Sequence, residues 1–91
     1  MSNKVVNLDR VRMHATIADI LVAVHHEVAR AKEKHPGDFH NQHEGYAVLL
    51  EEVDELWDEI KKNGGGRDAA ARKEAIQIAA MCVRYILEVC D

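Results

Sequence analysis

The sequence predicts an all-α fold with three main helices per chain, and three observations predict it. Hydrophobic residues make up 47% of the chain while aromatics make up only 4%. The apolar material is therefore mostly Ala, Val, Ile and Leu, which suits closely packed helices. Breaker residues gather at only two places, HPGDFHN (35–41) and NGGGRD (63–68). Between them, apolar residues recur at helical spacing. The chain of 91 residues reads as one small helical domain spanning 1–91, with helices over about 8–34, 42–62 and 68–89.

In the first segment, Ile17, Ile20, Leu21, Val24 and Val28 form one apolar stripe, and Ala15, Ala18, Val22 and Ala29 form a second of smaller residues. A helix apolar on two sides is expected to touch two neighbours. Pro36 ends it, and Lys32 and Lys34 suit a helix C-terminus.

In the second segment, Tyr46, Leu49, Leu50, Val53, Leu56, Trp57 and Ile60 fall within an arc of about 120°. Glu44, Glu51, Asp54, Glu55, Asp58 and Glu59 lie opposite, and Glu52 sits at the seam beside Leu56. Lys61, Lys62 and the three glycines close the helix.

The third segment opens on Asp68, a suitable N-cap. It is apolar almost all round, so it is expected to be buried. A narrow polar stripe of Lys73, Glu74, Gln77, Arg84 and Glu88 must then lie buried or in a cleft, where each polar group needs a partner.

A formal net charge of −4 argues against a mainly electrostatic grip on nucleic acid. No apolar run is long enough to span a bilayer, and MSNKVVNLDRVR has no apolar core of signal-peptide length. The expected compartment is cytoplasmic. Cys82 and Cys90 are eight residues apart on one helix, about 12 Å along its axis, too far for a disulfide between them. A lone chain of this size buries only about 60–65% of its unfolded surface, so self-association is expected.

The carboxylates carry the functional reading. Glu52 and Glu55 are i,i+3 neighbours, Glu51 and Glu55 are i,i+4, and Glu74 and Gln77 are again i,i+3. If the second and third helices pack antiparallel through the glycine loop, the pairs face each other. Converging carboxylates repel and resist desolvation. A hard divalent cation with oxygen ligands offsets that most simply.

Glu51-Glu52-x-x-Glu55, eighteen residues, then Glu74-x-x-Gln77 resembles the MazG-like all-α nucleotide pyrophosphohydrolases, whose pattern is EExxE followed by ExxD. The resemblance covers about Glu44 to Val89. It implies a MazG-like domain that dimerises into a four-helix-bundle arrangement, as a homodimer or a dimer of dimers. It also implies Mg²⁺-dependent hydrolysis of a nucleoside triphosphate to monophosphate and pyrophosphate, with Mn²⁺ as a substitute cation. Glu52, Glu55, Glu74 and Gln77 would be metal ligands, and Glu51 the catalytic general base. Arg84, Lys73, Lys34 and His43 would bind substrate. Gln77 departs from the pattern: an amide oxygen can ligate magnesium but brings no charge.

Plainer readings stand beside this one. An acidic helix face is ordinarily solvated, and Asp54, Asp58 and Glu59 are read that way. His35, His40 and His43 cluster near the first loop, but without a familiar zinc spacing. Phe39 and Trp57 offer rings for a base, and for Trp57 core packing is expected instead. The alternative function is a catalytically weakened MazG-like helical dimer that binds nucleotide or protein.

Overall fold

The computed structural model describes the backbone of residues 2–62 and 67–90 and the side chains of residues 17–62 and 68–90. The described chain is all-helical: α1 spans Ser2–Lys34, α2 Gln42–Lys61 and α3 Arg67–Val89. The glycine stop expected at 63–66 lies outside the described residues. The helix α1 begins six residues before the expected Leu8, since Ser2 to Asn7 contain neither glycine nor proline to stop it. Asp68, expected as an N-cap, falls inside the first turn of α3, where a carboxylate still complements the helix dipole.

The first loop is built by its own polar residues. Asn41 takes an extended backbone and caps α2, its side chain accepting from the Glu44 N–H at 2.9 Å. Glu44 reaches back to accept from the His40 N–H at 3.1 Å, one residue before the cap, so the two side chains satisfy backbone donors on either side of Asn41.

α2 and α3 run antiparallel. The Gln42 side chain at the start of α2 donates to the Val89 carbonyl at the end of α3, and Glu52 meets Gln77 near the middle. The close approach near the loop depends on Gly45. A Cβ there would lie 2.8 Å from Tyr85 Cδ2 and 3.1 Å from Phe39 Cδ2, inside van der Waals contact. α3 is the shared element: both α1 and α2 pack on it, and among the described residues they do not pack directly on each other. The second neighbour expected for α1 is thus absent from the described chain.

The core is small. Val24 and Ala31 from α1, Phe39 from the loop, and Ala80 and Met81 from α3 are its buried apolar members. Val28, Val48, Leu49, Ile76 and Val83 pack around them. The radius of gyration is 16.4 Å, against about 12 Å for a compact chain of this length.

Three expectations about apolar faces need correction. α3, expected to be buried, leaves Ile86 and Leu87 exposed. Ile17, Ile20 and Leu21 on α1 are exposed, and only Val24 and Val28 of that stripe reach the core. On α2 the apolar arc divides. Leu49 and Leu56 turn partly inward, while Tyr46, Leu50, Val53, Trp57 and Ile60 are exposed. Trp57 is therefore not a core residue of this chain: it is 56% exposed, with Lys61 Nζ 5.9 Å from its ring centroid. The cause is geometric. α3 covers the side of α2 that carries Gly45, Val48, Leu49, Glu52 and Leu56, and this side is rotated away from the centre of the apolar arc.

Candidate functional site

A cavity of about 500 Å³ lies between the three helices and the first loop. It exists because, among the described residues, α1 and α2 each pack on α3 and not on each other. Its wall is acidic on one side, with Glu51, Glu52 and Glu55 from α2, and basic on another, with Arg30 and Lys34 from α1. Gln77 and Met81 of α3 lie between them.

Glu52, Glu55 and Glu74 converge. Each offers a carboxylate oxygen within 4.8 Å of the other two. Glu52 and Glu74 are half-buried and Glu55 is exposed. Burial is the main cause that pushes the Glu52 carboxyl up to about 7, and the charges of Glu55, Glu74 and, from α1, Glu27 add to it. Glu74 is raised for the same first reason, with Glu55 as the next contributor.

Gln77 sits among these carboxylates. With the amide turned so that hydrogens meet acceptors, its nitrogen donates to Glu74 Oε2 and to Glu52 Oε2, each at 2.9 Å. The four residues expected from spacing to share one site are thus brought together. An all-oxygen set of three carboxylates and one carboxamide suits a hard divalent cation such as Mg²⁺ or Mn²⁺. Among the described residues this is the single group of His, Cys, Asp and Glu with metal-ligand proximity, and no histidine belongs to it. The two cysteines are free and exposed.

No family model matches the chain, and no curated protein or solved structure matches it.

The remaining expected site residues are placed less uniformly. Glu51 is exposed and lines the cavity, as does Lys34. His43 is exposed, and Lys73 lines a separate hollow between α1 and α3 beside Arg72 and His26. Neither His43 nor Lys73 is among the residues lining the main cavity.

Arg84 does border the cavity, but its guanidinium is committed. It is gripped by Glu88 along its Nε–Nη2 edge, Nε to Oε2 at 2.7 Å and Nη2 to Oε1 at 3.1 Å. It also donates to the Gly37 carbonyl at 3.2 Å and lies 4.5 Å from the Phe39 ring centroid. Glu88 in turn accepts from the Phe39 N–H at 2.8 Å. Burial opposes the charge of Glu88, yet Arg84, the Phe39 N–H and Lys32 together hold its carboxyl below the usual range. Phe39 is buried in this clamp and contributes part of the cavity lining.

Sequence reasoning missed two contributors from α1. Glu27 and Arg30 both line the cavity and are paired along the Nε–Nη2 edge of the guanidinium, Nη2 to Oε1 at 2.6 Å and Nε to Oε2 at 3.0 Å. Arg30 holds the Glu27 carboxyl below its ordinary range through that pair. The signal was an i,i+3 acid–base pair just after Val24, which any solvated helix also carries. The Arg84–Glu88 pair, i,i+4 on one stripe, was equally visible and equally unspecific.

Proposed function

We propose that the chain is a divalent-cation-dependent nucleoside triphosphate pyrophosphohydrolase of MazG-like type, acting on nucleotide pools in the cytoplasm. The convergence of Glu52, Glu55, Glu74 and Gln77 on one point at the edge of the 500 Å³ cavity supports this reading most directly. The spacing that suggested the family also suggested that convergence.

A bound Mg²⁺ supplies neutralisation of phosphate charge, which is the dominant requirement in phosphate-ester and anhydride chemistry. Glu52, Glu55, Glu74 and the Gln77 carboxamide would hold it. Glu51, one turn before Glu55 and open to the cavity, accepts a proton from the attacking water. Lys34 stands on the opposite wall and takes phosphate oxygens by charge-assisted hydrogen bonds, while Arg30 beside it is held by Glu27. Arg84 acts at one remove. It fixes the loop that closes the cavity and does not itself touch substrate.

Pyrophosphate release from a panel of ribo- and deoxyribonucleoside triphosphates, with Mg²⁺ and then Mn²⁺, tests the reading. Turnover that chelator abolishes is the expected result. Absence of release from every triphosphate overturns the enzyme. Thermal stabilisation by nucleotide in that case supports a non-catalytic binding module.

The same reading includes a second copy of the chain. Tyr46, Leu50, Val53, Trp57 and Ile60 are spaced 4, 3, 4 and 3 residues apart and all exposed, which is the spacing of a helix-packing seam. A shallow apolar groove lined by Tyr46, Leu49, Cys82, Tyr85 and Ile86 runs beside it, between α2 and α3. Two such faces laid together make a four-helix bundle. Burial of this seam also offers the chain the core it lacks alone. The wild-type protein is expected at twice the chain mass or a multiple of it by sedimentation. Val53→Asp is expected to shift it toward a single chain and lower its melting temperature. A wild-type protein of single-chain mass at tens of micromolar rules the dimer out.

A further inference from the structure

Lys73 lies outside the main cavity and lines a second hollow, of about 380 Å³, between the middle of α1 and the start of α3. That volume falls within the roughly 300–1,000 Å³ of ordinary ligand pockets. The hollow is open to solvent. Ala23 on one helix and Ala69 on the other leave the space, since neither side chain is long enough to fill it.

Its wall is basic, in a protein whose formal net charge is −4. His26 and Arg30 come from α1, Arg72 and Lys73 from α3, and Glu27 is the one carboxylate among the lining residues. Glu27 is already taken. Its hydrogen bonds with Arg30 are the main reason its carboxyl lies below the ordinary range, and the charges of Lys73 and Lys34 lower it further. That pairing uses the Nε–Nη2 edge of Arg30 and leaves Nη1 over. Among the described residues, Arg72 and Lys73 make no hydrogen bond or salt bridge. The lining therefore holds more positive charge than its own carboxylate offsets. Ala69 also lies in the first turn of α3, where backbone N–H groups lack intrahelical acceptors and the helix dipole favours an anion. Asp68 shares that turn but does not line the hollow.

We propose that the hollow between α1 and α3 is an anion site for a diphosphate group, held by Arg72 and Lys73 from one side and by His26 and Arg30 Nη1 from the other. A carboxylate ligand brings a single charge and two oxygens in one plane. A diphosphate brings several charges and oxygens on several sides, which suits donors arriving from two helices. The Glu27–Arg30 pair lines both the hollow and the main cavity, so it forms the partition between them. The site uses neither the carboxylate cluster nor a divalent cation, and it stands whether or not the chain hydrolyses nucleotides.

The test titrates the whole chain with pyrophosphate in chelator and follows its backbone amide resonances, with potassium chloride at matched ionic strength as the control. Saturable shifts at Ala23, His26, Ala69 and Arg72 that chloride does not reproduce are the expected result. A double variant, Arg72→Gln with Lys73→Gln, is expected to bind pyrophosphate roughly tenfold or more weakly. Both residues are exposed, so the variant is expected to melt as the wild type does. A nucleoside triphosphate in a parallel titration identifies the source of the phosphates: tighter binding at the same amides assigns them to a nucleotide, and equal binding to the free ion. Shifts that chloride reproduces mark general screening and overturn the site. Shifts confined to Gly37, Phe39 and Val48 place the anion in the main cavity and overturn it as well. Undiminished affinity in the double variant does the same.

Discussion

Glu52→Gln is expected to have opposite effects on stability with and without a divalent cation. In the cation-free fold, burial and the neighbouring carboxylates raise Glu52 to about 7, while the unfolded chain leaves it near the ordinary glutamate value of about 4.3. A group raised in this way contributes its full stability below the unfolded value. It loses that contribution as pH climbs through the folded value. Wild-type protein in chelator is therefore expected to weaken between about pH 4.5 and pH 7 on account of this residue, and to stay weakened at pH 8.

Glutamine at position 52 has no charge to bury. It still offers an oxygen to the Gln77 amide. At pH 8 in chelator the variant is expected to be more stable than wild type by on the order of 1–2 kcal/mol. This allows for solvent screening of a half-buried group at a cavity mouth. At pH 5 the gain should shrink, because wild-type Glu52 is already protonated there. Adding Mg²⁺ reverses the order. Wild type gains about 2.7 kcal/mol at a hundredfold excess over Kd, and the variant, short of a charged ligand, gains far less. Pyrophosphate release should fall by about a hundredfold or more with the lost ligand. Melting curves at pH 5 and pH 8, with chelator and with Mg²⁺, provide the comparison. A variant less stable than wild type in chelator at pH 8 would show that Glu52 serves the fold and not a site.

That contrast bears on how much of the protein was legible in its sequence. Helix number, helix ends near Lys34 and Lys61, and the meeting of Glu52 with Glu74 all followed from local rules. Breakers stop helices where they stand, and i,i+3 spacing fixes which side chains share a face. What was not legible depended on which side of each helix α3 would cover. Trp57 and Ile60 sit in the same apolar arc as Leu49 and Leu56, and periodicity alone gives all four the same fate. The tight approach at Gly45, where Tyr85 lies against the α2 backbone, sets the rotation that turns Leu49 inward and leaves Trp57 outside. Arg84 shows the same limit on the chemical side. Its position on the polar stripe of α3 was read correctly as facing a cleft. That its guanidinium would also hold the loop depended on Glu88 one turn on and on where the Gly37 carbonyl and the Phe39 N–H would arrive, and no spacing rule places a loop amide.

Glu88→Ala is expected to be the most destabilising of the substitutions considered. Arg84 and Glu88 are 5% and 6% exposed at their side chains, so deleting the carboxylate leaves a buried guanidinium without its counter-charge. Losses of that kind run to roughly 3–5 kcal/mol, a large part of the 5–15 kcal/mol that holds a typical domain together. The Phe39 N–H loses its acceptor in the same step, so the loop at 35–41 is expected to come away from α3 and open one end of the cavity. Urea unfolding measures the first effect, and faster amide hydrogen exchange at Phe39 and His40 the second. A double variant, Arg84→Leu with Glu88→Leu, should recover much of the stability, because an apolar pair of similar bulk avoids desolvating two charges. It should not recover the exchange protection at Phe39, which needs the carboxylate. The pH dependence separates this pair from the cavity carboxylates. Glu88 is held below its ordinary value, so its contribution is present above the unfolded value of about 4.3 and is lost as pH falls through the lower folded value. Glu52 moves the other way. Acid therefore weakens the loop clamp while it relaxes the carboxylate cluster. A chelated protein whose stability peaks near pH 5 and falls on both sides carries the signature of both groups.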